Sequence, residues 1–493
     1  MSTTVADMIA LFPNKEGQDQ TNVALLAIAG AIDRGNGIGR KLSFRELWML
    51  NRLGLASKVV APGETQIEVM KETSITATVS GDITAASVAE DTFIAMVGTV
   101  KEGVYEFSHN GGAWHLDGEA VNLTDYGISV TGTPADGDLI EVYETASVIT
   151  FDVAGIDQHH PANPNLKHSI SLLCTEAVAG FSYCPTQAAI AVQSGPLPAG
   201  TYAVTIPADY DASYNDHEEG SYAVFTLAQA VPAGGQIMIP WGYQQHLKNT
   251  KVSTYNAFSG TAIESNVSIS MADAIAADSV VVLGALANGD VHSETPGLLS
   301  GVTVLLNNIE RMRYGSNDVR TACMLQWLSS DAASGWHEQI GPFDRPQTTP
   351  TAGFLHGMDP EFLQILGKVK LRTAYNTVCK SLAGESNTAT YYDGEHLGWL
   401  PSMTELGWGA NNSVYETSPD GEGNVKNEPL QMFQDATNAD RIRRNGGTAR
   451  RWWLRSPHPS NAAHERIVLT DGSLYDDHYA YYGNWAVPGL DII

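Results

Sequence analysis

The chain has 493 residues, with 28 Lys and Arg against 55 Asp and Glu, a formal charge of −27 at pH 7. That balance excludes a nucleic-acid binder, which needs a basic footprint, and docking on an anionic membrane surface. Hydrophobic residues are 43%, enough for real cores, while charged residues are only 17%; with 47 glycines and frequent Thr, Val and Tyr this is the composition of an extracellular-type β protein or a virion protein.

The length allows two to four domains. The longest apolar run, Val23 to Ile32, is about half of what spans a bilayer, so no membrane insertion is expected. Residues 1–22 carry Lys15 against Asp7, Glu16 and Asp19, the wrong sign for a secretory leader. Cys174, Cys184, Cys323 and Cys379 form no C-x-x-C and no disulfide framework, so buried thiols are expected rather than a Cys174–Cys184 bridge.

Residues 1–58 read as a helical arm. Val23, Leu25, Leu26, Ile28, Ala29 and Ile32 have helical spacing, and Gly35-Asn36-Gly37-Ile38-Gly39 breaks the helix as a hinge. Ser43-Phe44-Arg45-Glu46 is a capping box, and Gly54 a left-handed stop for the short helix it opens. Two such helices need a partner, either other subunits of an assembly or their own chain.

From residue 59 to 150 the period changes to two. Gln66-Ile67-Glu68-Val69 and Ile75-Thr76-Ala77-Thr78-Val79 alternate, and Asn110-Gly111 between alternating runs signals a hairpin. Residues 151–300 are again β-rich. Turn–strand units beginning at Pro198 and Pro232 each end in Ile-Pro, as in a sandwich or jelly roll. Helical signals return at Val302 to Met312 and at Val319 to Leu328.

Three local clusters have ordinary explanations. Asp209, Asp211, Asp216, Glu218 and Glu219 open like a calcium loop, but Tyr214 and Gly220 stand where Gly and Glu are needed, so a solvated acidic turn is expected. Asp157, His159, His160 and His168 fit no zinc spacing and read as a polar loop. No nucleophile elbow, HExxH helix, P-loop or dinucleotide fingerprint is present.

Two stretches carry family resemblance. Trp114, Tyr126, Gly127, Gly132, Thr133, Pro134, Gly137 and Asp138 resemble a small β-module of tailed-bacteriophage structural proteins, with a G-x-W-x-L strand before YGI-x-V-x-GTP-x-x-GD. The last 180 or so residues are more informative. Tyr314-Gly315-Ser316-Asn317, Gln326-Trp327-Leu328, Gly353-Phe354-Leu355, Leu400-Pro401-Ser402-Met403-Thr404-Glu405-Leu406, Arg451-Trp452-Trp453-Leu454-Arg455-Ser456-Pro457 and Asp471-Gly472-Ser473 follow in order. This set resembles a domain of phage and prophage tail or adhesin proteins. It is similar to the C-type lectin fold shared with formylglycine-generating enzymes and the variable proteins of diversity-generating retroelements. Ala486-Val487-Pro488-Gly489-Leu490 departs from the GVRPA-like end of those relatives.

Within it, Trp452, Trp453, Leu454, Val468 and Leu490 read as core, and Arg455 with Glu405 as a buried pair. Leu474 to Trp485 holds five Tyr or Trp among twelve residues, mixed with Asp, His and Asn, which is paratope composition. Residues 458–465 border it. The expected ligand contacts are Asn461, His464, Glu465, Tyr475, Asp476, Asp477, His478, Tyr479, Tyr481, Tyr482, Asn484 and Trp485.

The expected fold class is therefore mainly β and multidomain, with an α+β C-terminal domain. A helical attachment arm (1–58) precedes small β-modules (59–150), a sandwich or jelly-roll-like domain (151–300) and a C-type-lectin-like ligand-binding domain (301–493). The resemblance implies a virion receptor-binding protein of a tailed bacteriophage, without enzymatic activity, cofactor or metal. Its expected partners are a host cell-surface glycan or protein, other virion proteins through residues 1–56, and its own copies in a homotrimer. A structural head-fibre, decoration or baseplate protein is the alternative. A lectin-fold enzyme comes third and would need a reactive cysteine pair, for which Cys323 and Cys379 are the candidates.

Overall fold

In the computed structural model, residues 42–79, 83–88, 96–101, 104–109, 112–114, 128–132, 139–205, 222–239, 252–256, 261–265, 281–286, 295–346, 351–375, 390–408, 429–458 and 462–493 are described. Helix α1 (Phe44–Arg52) starts on Ser43, whose hydroxyl accepts from the Glu46 amide at 3.3 Å while the Glu46 carboxylate accepts from the Ser43 amide at 2.9 Å. This is the capping box that the sequence spells. Gly54 follows at φ +68°, where a side chain would be strained.

Leu47, Met49 and Leu50 of α1 are buried, and Trp48 and Asn51 donate to the carbonyls of Ile493 and Ile492 at 2.7 and 3.1 Å. The apolar face of α1 therefore finds its partner in its own chain. Residues 1–41, where the other helix and the Gly35–Gly39 hinge fall, lie outside the described residues.

Four α-helices and a few 3-10 turns occur among the described residues, and the other regular elements are strands in several sheets, so the chain is mainly β. It divides into two compact units, the first of residues 1–67, 151–355 and 365–493, the second of 68–150 and 356–364. Two strands have residues in both, β1 (Gln66–Val79) and β2 (Leu139–Ile156).

In the second unit, Met96–Lys101 pairs with residues 139–142 of β2 and with Val104–His109, which pairs in turn with Gly112–Trp114. Phe107 faces Trp114 and His109 faces Gly112, the register that a two-residue Asn-Gly loop imposes. Ile83–Val88 pairs with Ile128–Gly132, which holds Gly132 of the phage-module resemblance; Tyr126, Gly127 and residues 133–138 lie outside the described residues.

In the first unit, strands β3 (Ile170–Cys174), β4 (Val178–Phe181), β5 (Ile190–Ser194) and β6 (Gly235–Met238) are followed by β7 (Val302–Leu306). Helices α2 (Ile309–Tyr314) and α3 (Cys323–Leu328) come next. The C-terminal strands are β8 (Gly398–Trp399), β9 (Trp452–Pro457), β10 (His464–Val468), β11 (Leu474–Tyr479), β12 (Asn484–Ala486) and β13 (Gly489–Ile492).

Strand β5 sits between β6 and β7 in one sheet, while Gly200–Thr205 pairs with Tyr222–Leu227 and Val281–Ala285 in another. Val204, Tyr202 and Phe225 from the second sheet join Ile190, Ile237, Val304 and Leu306 from the first in one buried cluster. Two sheets closing over a shared apolar layer is sandwich-like packing. The acidic turn 209–219 lies outside the described residues.

Two expectations need correction. Val302 to Met312 is not one helix: Val302–Leu306 is a strand between β5 and Thr295–Leu299, and only Ile309–Tyr314 is helical. Val302, Thr303 and Val304 are β-branched and favour the sheet, and Asn308 then caps α2 by accepting from the Glu310 and Arg311 amides. The boundary at 300 also fails. Strand β3 pairs with β13, β4 with β12 and β5 with β7, so residues 151–194 build the same unit as the C-terminal strands. Long-range antiparallel pairing is invisible to a chain-order reading.

Candidate ligand-binding face

The C-terminal motifs converge on a five-stranded sheet of order β4-β12-β9-β10-β11. Strands β10 and β11 form a hairpin in which His464 faces Tyr479, Glu465 faces His478 and Ile467 faces Tyr475. Its turn is Asp471-Gly472-Ser473: Gly472 takes φ +80°, and the Leu469 amide donates to the Ser473 carbonyl at 2.8 Å. Trp452 and Trp453, side by side on β9, are both fully buried; their indole nitrogens donate to the carbonyls of Arg441 and Phe181 at 3.3 and 3.0 Å.

After β11 the chain turns through Ala480 to Gly483. Every amide from Ala480 to Tyr482 is bonded: Ala480 donates to the Ala463 carbonyl at 2.8 Å, Tyr481 to Tyr314 at 2.9 Å and Tyr482 to Tyr479 at 3.0 Å. The Ala480 carbonyl accepts from the Cys184 amide at 3.2 Å. The backbone of this turn is thus held from three other segments.

The tyrosines of this turn, and Tyr475 on β11, stay accessible. Tyr475, Tyr481 and Tyr482 are 39%, 36% and 41% exposed, the most exposed large aromatics among the described residues. They belong to a continuous set of ring contacts. Tyr314 stacks on Tyr479 at 3.9 Å, Tyr481 lies 4.5 Å from Tyr482, and His478 bridges Tyr482 at 5.0 Å and Trp453 at 5.5 Å. His464 meets Tyr479 edge-on at 4.3 Å. Such contacts contribute about 0.5–1.5 kcal/mol each and fix the ring angles. Burial and the hydroxyl of Tyr482 push the Tyr481 phenol above its ordinary range, so its tip stays a neutral hydrogen-bonding group. Arg313 lies over Tyr314 at 4.7 Å and Arg450 over Trp485 at 4.5 Å, adding cations in an otherwise acidic chain.

The predicted contact residues thus separate. Tyr475, Tyr481 and Tyr482 are exposed, while His478, Tyr479 and Trp485 are half-buried among the same rings. Glu465, His464 and Asn484 are 0%, 2% and 6% exposed and support the face from inside, a correction to their reading as ligand contacts. His464 and Glu465 are neighbours on β10 and point to opposite faces of the sheet, and both faces are covered, since every residue of the strand is buried. Asn461 lies outside the described residues, as do the side chains of Asp476 and Asp477.

Arg455 and Glu405 do meet in the interior, and the pair is part of something larger. Arg455 Nη1 and Nη2 donate to Glu405 Oε2 and Oε1 at 2.6 Å each, and Nη1 also to the Leu400 carbonyl at 2.7 Å. Glu405 Oε1 lies 3.2 Å from His159 Nε2, and His159 Nδ1 lies 3.1 Å from Asp491 Oδ2. Asp491 also accepts from Trp399 Nε1 and Ser171 Oγ, at 2.7 Å each. With a carboxylate on each ring nitrogen, His159 is held as the cation, and the charges alternate plus, minus, plus, minus from Arg455 to Asp491. Burial lowers the His159 pKa, but the charges and hydrogen bonds of Asp491 and Glu405 outweigh it and raise it to about 9. Burial likewise opposes the Glu405 charge, yet Arg455 and His159 hold that carboxyl well below its usual range.

His159 is therefore no polar-loop residue. Four segments far apart in sequence meet at this buried chain, and Arg455 anchors the strand that presents Trp453 to His478. His168, by contrast, makes a partly exposed pair with Asp157 at 3.1 Å. Among the described residues no cluster of His, Cys, Asp and Glu is arranged to hold a metal ion.

Residues 298–492 match a protein family described as a domain of unknown function (DUF6273). No curated protein and no solved structure matches the chain.

Proposed function

We propose that this chain is a receptor-binding protein of a tailed-bacteriophage virion, with a C-type-lectin-like C-terminal domain whose tyrosine face grips a ligand on the host cell surface. The observation that carries the reading is the turn at 479–482: exposed rings stand on a backbone bonded at every amide from Ala480 to Tyr482. Free proteins seldom leave several large rings together in water without a use for them. Tyrosines fixed in advance lose little rotamer entropy on binding, and they combine apolar area with a polar tip. The ordered motifs from Tyr314 to Ile492 support the assignment to a phage adhesin. Assembly as a trimer would multiply a weak single-site contact into avidity.

The test is attachment. Labelled protein is applied to a panel of bacterial strains, and the Tyr475→Ala, Tyr481→Ala, Tyr482→Ala triple variant is compared on any strain that binds. Loss of attachment with an unchanged melting midpoint supports recognition through this face. Undiminished attachment refutes it and favours a structural head-fibre, decoration or baseplate role.

A further inference from the structure

Cys174, Cys184 and Cys323 are buried and take part in no disulfide, and Cys379 lies outside the described residues. Two of them are neighbours despite their distance in sequence. Cys184 lies between β4 and β5, and Cys323 opens α3. The Met324 amide donates to the Tyr183 carbonyl at 3.1 Å, so the peptide unit after Cys323 is hydrogen-bonded to the one before Cys184. Both side chains are fully shielded from water, and Cys323 Sγ points into the interior, donating to the Arg345 carbonyl at 3.4 Å. The Cys184 thiol, followed by burial, pushes the Cys323 thiol well above its ordinary range. Cys174 is elsewhere, on β3 opposite Phe151. A disulfide closes without backbone movement when the two Cα atoms are about 4.4–6.8 Å apart. The two thiols belong to no metal-binding cluster among the described residues.

We propose that Cys184 and Cys323 close into a disulfide when the protein meets an oxidising medium, stapling the segment that holds the tyrosine turn to helix α3. The inference is independent of what the tyrosine face binds. The oxidant is a small-molecule disulfide such as oxidised glutathione. One cysteine loses its proton, and its thiolate attacks the small disulfide, giving a mixed disulfide and releasing one small thiolate. The second cysteine, deprotonated in turn, attacks the protein sulfur of that mixed disulfide and releases the other. Two protein thiols become one S–S bond, and both electrons leave on two small thiols. Because the pair is buried and the Cys323 thiolate is disfavoured, closure waits for local opening and speeds up as the pH rises. Through Cys184 the staple also reaches the turn, since the Cys184 amide donates to the Ala480 carbonyl at 3.2 Å.

The full chain is incubated with oxidised glutathione, its remaining thiols are alkylated in denaturant, and the unreduced digest is mapped by mass spectrometry. The expected product is a Cys184–Cys323 linked peptide lighter by two hydrogens than its parts. It should come with a rise of several degrees in the melting midpoint that dithiothreitol reverses. Cys323→Ser should lose both signals and Cys174→Ser should keep both. The proposal is overturned if Cys184 and Cys323 remain alkylatable after treatment, or if the linkage maps to Cys174 or Cys379. The wild-type map decides this even if a variant fails to fold.

Discussion

Raising the pH should dismantle the buried charge chain at His159. Its pKa is raised from 6.5 to about 9 in the folded protein, so it contributes stability that is fully present below about pH 6.5 and is lost as the pH climbs through 9. One pKa unit corresponds to about 1.4 kcal/mol, which makes the full contribution roughly 3 kcal/mol and the loss between pH 7 and 10 roughly 2–3 kcal/mol. Deprotonated His159 would leave one of its two carboxylates, Glu405 at 3.2 Å or Asp491 at 3.1 Å, facing a lone pair in the interior. Urea unfolding across that pH range, followed by tryptophan fluorescence, measures the loss; Trp399 donates to Asp491 and reports on the site. His159→Gln removes the titration while keeping hydrogen-bonding capacity, so its difference from wild type cancels the lysines and tyrosines that titrate nearby. If that difference is the same at pH 7 and pH 10, His159 is not held as a cation and the alternating chain is wrongly drawn.

Two further outcomes follow from single contacts. Arg455→Met should cost about 3–5 kcal/mol in urea unfolding, because it strands the Glu405 carboxylate in the interior; Glu405→Gln with Arg455→Met should recover part of that loss. Gly472→Ala should cost at least about 2 kcal/mol, since Gly472 sits at φ +80° and a Cβ there would collide with the Asn438 carbonyl, whereas Gly446→Ala, also at positive φ but with open space around it, should cost less.

Local signals in the sequence translated directly into structure. The Ser43–Glu46 box, the Gly54 stop, the Asn110-Gly111 hairpin register and the Asp471-Gly472 turn each depend on contacts within a few residues. Arg455 and Glu405 were legible as a pair because each is an isolated charge in an apolar motif. His159 was not, since its partners stand 246 and 332 positions away. The available cue was Asp491, a lone carboxylate in the apolar run Gly489 to Ile493. His464, Glu465 and Asn484 shared the polar composition of a binding loop, and only the packing on both faces of the sheet, which no local pattern records, shows that they are buried. The strand at Val302–Leu306 escaped because its partners, β5 and Thr295–Leu299, must be placed before its period can be interpreted.

Hydroxyl-radical footprinting of the protein, free and bound to cells it recognises, examines the tyrosine face itself. Tyr475, Tyr481 and Tyr482 should be oxidised readily in the free protein and shielded together on binding, while Ile340, more exposed and not part of the ring cluster, stays reactive. Unchanged oxidation of the three tyrosines at saturating attachment, with protection appearing on another surface, would contradict recognition through these rings.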